Sequence, residues 1–342
     1  SFGLSSDYKE VPSRDSALVK YFRDKGAFLL GTTNLDPACL DSLGSNPYHG
    51  DVENPLRKDL LCGGSSSGSA AAVARDYCDF ALGSDMAGSI RIPAACCGVV
   101  GYKASTDFLP LHGALSLGGS LDSAGVLCSS LEDLEVLLGI SAEEDLSWKY
   151  IPPEMLGGMD ALIRERYSHF MQHMRTLISL SAINESIGFK EAWEIRKDLI
   201  ASAAKEFFIS HPSRVFPEAA KALLEYDRRG SDERKDEVKR RVEFLIAHYE
   251  SLIGEKEVLI TPTLPCLPPV KGEELSGDFE SSFGRFLVLA NVLGAPALTV
   301  PLPCDSGEFP ISVQFLARPG SDKILIGAVT KLMKRCLSDK VF

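Results

Sequence analysis

Residues Gly63 to Gly101 read GGSSSGSAAAVARDYCDFALGSDMAGSIRIPAACCGVVG, and the architecture of the chain turns on them. Gly63 to Ser69 is a glycine-serine run whose backbone can take φ values that side chains forbid, with hydroxyls available to cap the Ala-rich helix that follows. Asp79 to Gly83 is apolar and short, which predicts a buried strand. Ser84 to Ser89 is a turn leading into a second helix at Ile90-Arg91-Ile92-Pro93. The order is loop, helix, strand, loop, helix. Successive N–H groups in a turn of this kind face one concavity, which suits a developing oxyanion. Neither G-x-x-x-x-G-K-[ST] nor G-x-G-x-x-G occurs in the stretch, so a nucleotide site is not expected.

These residues resemble the amidase signature family, whose pattern GGSSGGS, Ala-rich helix, GSDTGGSIRxPAxxCGxxGxKP stands beside GGSSSGS and GSDMAGSIRIPAACCGVVGYKAS here. Ser65 and Ser89 are 24 residues apart, the family's spacing. The resemblance implies amide hydrolysis: Ser89 as nucleophile, Ser65 as a serine preceded by a cis peptide that relays protons to a lysine, and the N–H groups of Met86, Ala87, Gly88 and Ser89 as oxyanion hole. Ser66, Asp85 and Leu35 fall on its substrate side. A serine hydroxyl needs a base within hydrogen-bond reach, and a desolvated lysine serves when burial lowers its pKa. The six histidines are not placed beside the signature.

Two departures stand out. Met86-Ala87 replaces Thr-Gly, so a methyl enters where backbone meets substrate, with a strain of order 1 kcal/mol if the position takes φ > 0. In the family the lysine lies in a V-K-D segment farther upstream than this chain reaches. Of the lysines before Ser65, Lys9, Lys20, Lys25 and Lys58, none has that setting. The expectation is that the lysine precedes Ser1 in a longer protein, the alternative being a homologue without the base.

Outward from the signature, Asp15 to Lys25 has helical spacing and stops at Gly26, and Ala27 to Gly31 reads as a buried strand. Thr32-Thr33-Asn34-Leu35-Asp36 matches the family's GKTNMDE segment, which implies that Asn34 to Leu40 come near the substrate pocket, with Asp36 also read as a cap for the next helix. His49 is read as a solvated loop residue. Gly119 to Gly125 matches S-L-D-x-x-G, and Leu131 to Gly139 is an amphipathic helix. From about 141 to 252 the chain turns helical and charged. His169 and His173 there have the i, i+4 spacing of a metal pair, but lack an intervening glutamate or third ligand, so one helix face is the reading. Asp227 to Arg241 reads as a solvated charged face. Glu257 to Thr263 ends in T-P-T, Phe286 to Val300 holds N-x-x-G-x-P-A, and Pro310 to Arg318 is a strand with a glutamine, all as in the family. Leu325 to Leu332 closes the chain as a helix.

The fold expected is α/β: a mixed, mostly parallel-type sheet with helices on both sides. It forms a single amidase-signature domain over 1–342, with a core at 1–140, a variable helical region at about 141–252 and a C-terminal return at 253–342. A net charge of −11 argues against nucleic acid or an anionic membrane surface as partner. Nine cysteines, with no C-x-x-C pair, are neither a disulfide framework nor a zinc site. They imply reduced thiols in a cytoplasmic enzyme, with Cys96 and Cys97 as packing residues. No apolar run reaches membrane-spanning length. No metal or organic cofactor is implied, the partner is a small-molecule amide, and a homodimer stays open. A stand-alone amidase is the first reading, supported by the Glu191-Ala192-Trp193-Glu194 helix. The others are the glutaminase component of a tRNA-dependent amidotransferase and a base-less binding protein.

Overall fold

A computed structural model describes residues 2–4, 12–141, 146–210, 232–305 and 307–338. In the signature stretch, α2 (Ser67–Ala74), β1 (Phe80–Asp85) and α3 (Arg91–Cys97) follow α1 (Ala17–Asp24). Next come β2 (Val100–Lys103), β3 (Ser123–Cys128) and α4 (Leu131–Leu138). The charged middle holds β4 (Ser147–Tyr150), α5 (Ala161–Leu177), β5 (Leu180–Ala182), α6 (Phe189–Ser210) and α7 (Asp232–Leu252). The return is β6 (Glu257–Pro262), α8 (Phe279–Phe283), α9 (Val288–Val292), β7 (Ala297–Pro301), β8 (Ser312–Leu316) and α10 (Asp322–Ser338).

Eight strands form one mixed sheet in the order β1-β3-β2-β7-β8-β6-β4-β5. The expectation of a mostly parallel sheet is corrected: only β4 with β5 and β4 with β6 pair in parallel, and the other neighbours are antiparallel. The helix-strand alternation did signal crossovers. β1 and β2, joined through α3, run the same way, and so do β6 and β7. In each case a later strand, β3 or β8, inserts between the two and pairs with both in the opposite sense. Strand alternation places the core on both faces. Leu127 of β3 packs with Ala70, Val73, Ala94 and Cys97 of α2 and α3, while Val126 and Cys128 turn to the larger core that also holds Leu134 of α4 and Val329 of α10.

The strand expected at Ala27–Gly31 is not formed. Phe28 is 85% exposed and Leu30 69%, and the segment has no ladder partner among the described residues. An apolar run is a strand only when a neighbour takes its N–H and C=O groups. Replacing Phe28 and Leu30 by serine is therefore expected to move the unfolding free energy of this chain by no more than about 0.5 kcal/mol. Thermal unfolding checks this, and a larger loss would place the two side chains in a core.

Two of the strands, β4 and β5, lie in a region expected to be helical. The 169/173 pair is split by burial, His169 exposed and His173 buried on α5, and no cluster of three metal-ligating side chains occurs among the described residues. Lys9 and part of the 227–241 run lie outside those residues. Within the described part, Arg241 donates to Glu191 Oε1 at 2.7 Å and Arg234 pairs with the buried Asp198, so this stretch also clamps α7 to α6. No helix is long and apolar enough to cross a membrane among the described residues.

Candidate active site

The turn after β1 is built around one carboxylate. Asp85, fully buried, accepts from Gly88 N–H (2.8 Å) on Oδ1 and Ile90 N–H (3.2 Å) on Oδ2. Arg91, also fully buried, donates Nε to Asp85 Oδ2 (2.9 Å) and Nη2 to Oδ1 (2.8 Å). Its remaining donors reach Asn291 Oδ1 (2.7 Å), Leu287 O (2.8 Å) and Gln314 Oε1 (2.6 Å). All five guanidinium donors are thus used, as an uncompensated charge at this depth would demand. Asn291 returns its amide to Asp85 O (2.8 Å), and Gln314 donates to Phe286 O (3.1 Å) and Thr261 Oγ1 (3.2 Å). Burial alone would raise Asp85, but Arg91, with Lys103 and Asn291, outweighs it and holds the carboxyl well below the usual carboxylate range.

The consequence is a fixed turn carrying Ser89. Its positive φ falls on Gly88, at +119°, where an added Cβ would meet Leu287 Cδ1 at 2.6 Å. Ala87 lies outside the left-handed region, so its methyl brings no backbone strain. Gly88 N–H, expected in the oxyanion hole, is instead taken by Asp85. The N–H groups of Met86, Ala87 and Ser89 have no acceptor among the described residues.

The glycine-serine run meets this turn directly. Ser66 N–H donates to Ser89 O at 3.1 Å, and the Gly64–Ser65 peptide is cis. Beneath it lies Asp36, fully buried, which does not cap a helix as expected: its Oδ2 accepts from Gly44 N–H at 3.0 Å. A Cβ on Gly64 would sit 2.0 Å from that same oxygen, so only glycine fits there. Burial pushes the Asp36 carboxyl up to about 7, against the Gly44 N–H, which lowers it. Burial pushes the Cys39 thiol up to about 12, against Ser65, which lowers it, and so keeps it protonated.

A cavity opens over Ser89, walled by Met86, Ala87, Cys39, Ser42, Trp193 and Arg196. Of the residues singled out from sequence, Met86, Ala87 and Ser89 line it. Ser66 and Asp85 hold the turn that carries Ser89, through Ser89 O and Gly88 N–H, Ser65 is not among the lining residues, and Leu35 does not reach the cavity: its carbonyl accepts from Asn46 Nδ2 at 2.7 Å. Cys39 lies within Asn34 to Leu40, the segment the resemblance puts near the pocket, whereas Trp193 and Arg196 were missed as cavity residues. Asn291 and Gln314 were signalled by being polar inside apolar runs, FLVLANVL and ISVQFL, since a polar side chain in a core needs partners. Cys96 and Cys97 are buried, with the thiol raised by burial at Cys96 and by its contact with Cys62 at Cys97, and all nine cysteines are free.

The sequence matches the Amidase family model over residues 1–161 and 152–326. It is 32% identical over 355 residues to fatty acid amide hydrolase of Arabidopsis thaliana, covering 92% of this chain and 58% of that one. It is 29% identical over 364 residues to the A subunit of the glutamyl-tRNA(Gln) amidotransferase of Methanothermobacter thermautotrophicus, covering 94% and 78%. A crystal structure of amidase superposes with a TM-score of 0.86 at 27% identity, over 98% of this chain and 80% of that chain. 6-Aminohexanoate cyclic dimer hydrolase shares the fold, with a TM-score of 0.82 at 20% identity over 94% and 78%. This chain spans little more than half the length of the plant relative. With the Asp85-held turn under Ser89 and these matches together, the chain belongs to the amidase family.

Proposed function

We propose that the protein hydrolyses a carboxylic amide through an acyl-enzyme on Ser89. The observation that carries this is the turn itself: Ser89 lines a cavity on a backbone fixed by Asp85, with unused N–H groups at Met86, Ala87 and Ser89. Donors held in place before charge develops stabilise an oxyanion without reorganisation cost. Ser65 stands behind Ser89, where it relays the proton to a base. The family resemblance assigns that base to a lysine of an upstream segment. Lys20, Lys25 and Lys58 are exposed, and Lys103, although buried, is held by Ala104 O (2.9 Å) and Ala295 O (2.8 Å). The glutaminase reading has support in the amidotransferase relatives.

A fluorophosphonate probe tests the nucleophile. The expected result is an adduct located on Ser89 by digestion and mass spectrometry, absent in Ser89→Ala and formed more slowly in Ser65→Ala. An adduct elsewhere, or equal labelling of Ser89→Ala, removes the assignment.

A further inference from the structure

A cleft of about 370 Å³ opens between the segment that follows β4 and one face of α5. None of its lining residues lines the cavity over Ser89. β1, which leads into the Ser89 turn, and β4 stand six places apart in the sheet, about 29 Å at the usual strand spacing. The cleft is therefore a separate feature of the fold.

Its two cations are anchored by neutral groups. Arg164, half-buried, donates Nη1 to the Pro153 carbonyl at 2.6 Å. Arg175, exposed, donates Nη2 to the hydroxyl of the buried Tyr150, and its guanidinium carbon lies 5.2 Å from the centre of that ring. Neither arginine pairs with a carboxylate among the described residues, whereas Arg166 on the same helix pairs with Glu308. A guanidinium carries five donors in one plane, so four at each stay available. The Tyr150 hydroxyl accepts from Arg175 and keeps its own proton to donate. Gln172, placed between the two arginines in sequence, adds an amide to the wall. The Ser168 hydroxyl is turned back on the helix, donating to Arg164 O at 2.6 Å. Pro152, Pro153 and Met171 supply apolar surface between the polar groups. Glu154, exposed, is the one carboxylate in the lining, so the two positive charges outnumber it.

We propose that this cleft binds a small molecule with two separated acidic groups on a short carbon body, one received by Arg164 and the other by Arg175. A carboxylate or a phosphate presents two oxygens at the spacing of the guanidinium fork. Positions 164 and 175 are eleven residues apart, about 16 Å along the helix, which suits two acidic groups better than one. Each guanidinium is already held, by Pro153 O or by the Tyr150 ring and hydroxyl, so less side-chain freedom is lost when a ligand arrives. The volume falls in the range of small-molecule sites. The site does not depend on the reading of Ser89 as nucleophile.

Calorimetric titration with adipate tests the proposal. Adipate is expected to saturate the wild type, and hexanoate, with the same number of carbons and one carboxylate fewer, to bind about tenfold or more weaker. Arg164→Gln and Arg175→Gln should each bring adipate down to the level of hexanoate at an unchanged thermal midpoint. Glu154→Gln, which removes the acid of the cleft, should tighten adipate by about two- to fivefold. Ser89→Ala should bind adipate as the wild type does, whatever the outcome of fluorophosphonate labelling. Heat that does not saturate, inorganic phosphate or hexanoate binding as tightly as adipate, or an adipate affinity that both arginine variants leave unchanged overturns the site. Adipate binding lost in Ser89→Ala does so as well, by placing the ligand in the other cavity.

Discussion

Arg91→Met is expected to cost about 3–5 kcal/mol of folding stability, read in urea as a lower midpoint at an unchanged slope. The size follows from what is left behind. Asp85 and Arg91 are both fully buried, so removing the guanidinium strands a carboxylate in the core and frees Asn291 Oδ1, Leu287 O and Gln314 Oε1 of their donor. Methionine fills much of the volume, so the loss reports charge and hydrogen bonds rather than a cavity. The double replacement Asp85→Asn, Arg91→Met is expected to recover part of it, because the pair is costly chiefly when broken. The effect on fluorophosphonate labelling should exceed the effect on stability. Gly88 and Ile90 donate to the same Asp85 carboxylate, and once it moves the turn under Ser89 loses its shape. A variant that unfolds at the wild-type midpoint would show that the five-donor network contributes nothing net.

The parts of this site that could be read from the sequence are those that depend on local chemistry. Glycine at 64 and 88, serine at 65 and 89 and aspartate at 85 lie within one run, and spacing alone brings the two turns together. The parts that could not be read arise from packing between distant segments. Trp193 and Arg196 reach the cavity from α6, more than a hundred residues on, by a helix face whose pattern resembles any amphipathic surface. The strands of the middle region were hidden by length: β4 is only Ser-Trp-Lys-Tyr, although Trp148 and Tyr150 alternate inward as a half-buried strand should. Strand direction was unreadable for a different reason. Period-2 alternation says which face is buried and nothing about which neighbour a later strand will separate. Ala27 to Gly31 failed in the opposite sense, since its composition favours a strand but no ladder partner for it lies among the described residues.

A second large effect is expected in the pH dependence of stability, which should pass through a minimum near pH 7. Burial raises Asp36 from 3.8 to about 7. Between those values the native state holds a proton that the unfolded chain has released, so stability falls as pH rises across that window, by of order 4 kcal/mol. Burial, with Arg91 close by, lowers Lys103 from 10.5 to about 7. Here the native state binds fewer protons than the unfolded one between 7 and 10.5, so stability rises again with pH across that second window, by a comparable amount. Both side chains are fully buried, so solvent screening does not discount either arm. Asp85 works in the opposite direction to Asp36 but only below about pH 4, where its carboxylate would have to be protonated. Urea unfolding is therefore measured from pH 4.5 to 8.5, below the range in which the thiols raised in the fold, Cys39, Cys96 and Cys97 among them, lower stability with rising pH and oppose the Lys103 arm; Asp122, also raised by burial, adds to the acid arm in the same sense as Asp36. Asp36→Asn should make the acid arm markedly shallower and leave the alkaline one, and Lys103→Met should flatten the alkaline arm and leave the acid one. The acid arm also bears on the site, because Asp36 packs against Gly64 and its own N–H donates to Ser65 O at 3.3 Å. Ionisation there places a negative charge directly beneath Ser65. A stability profile that stays level from pH 4.5 to 7 in the wild type, or an acid arm that Asp36→Asn leaves at its full depth, would show that this carboxyl is already ionised well below neutral pH.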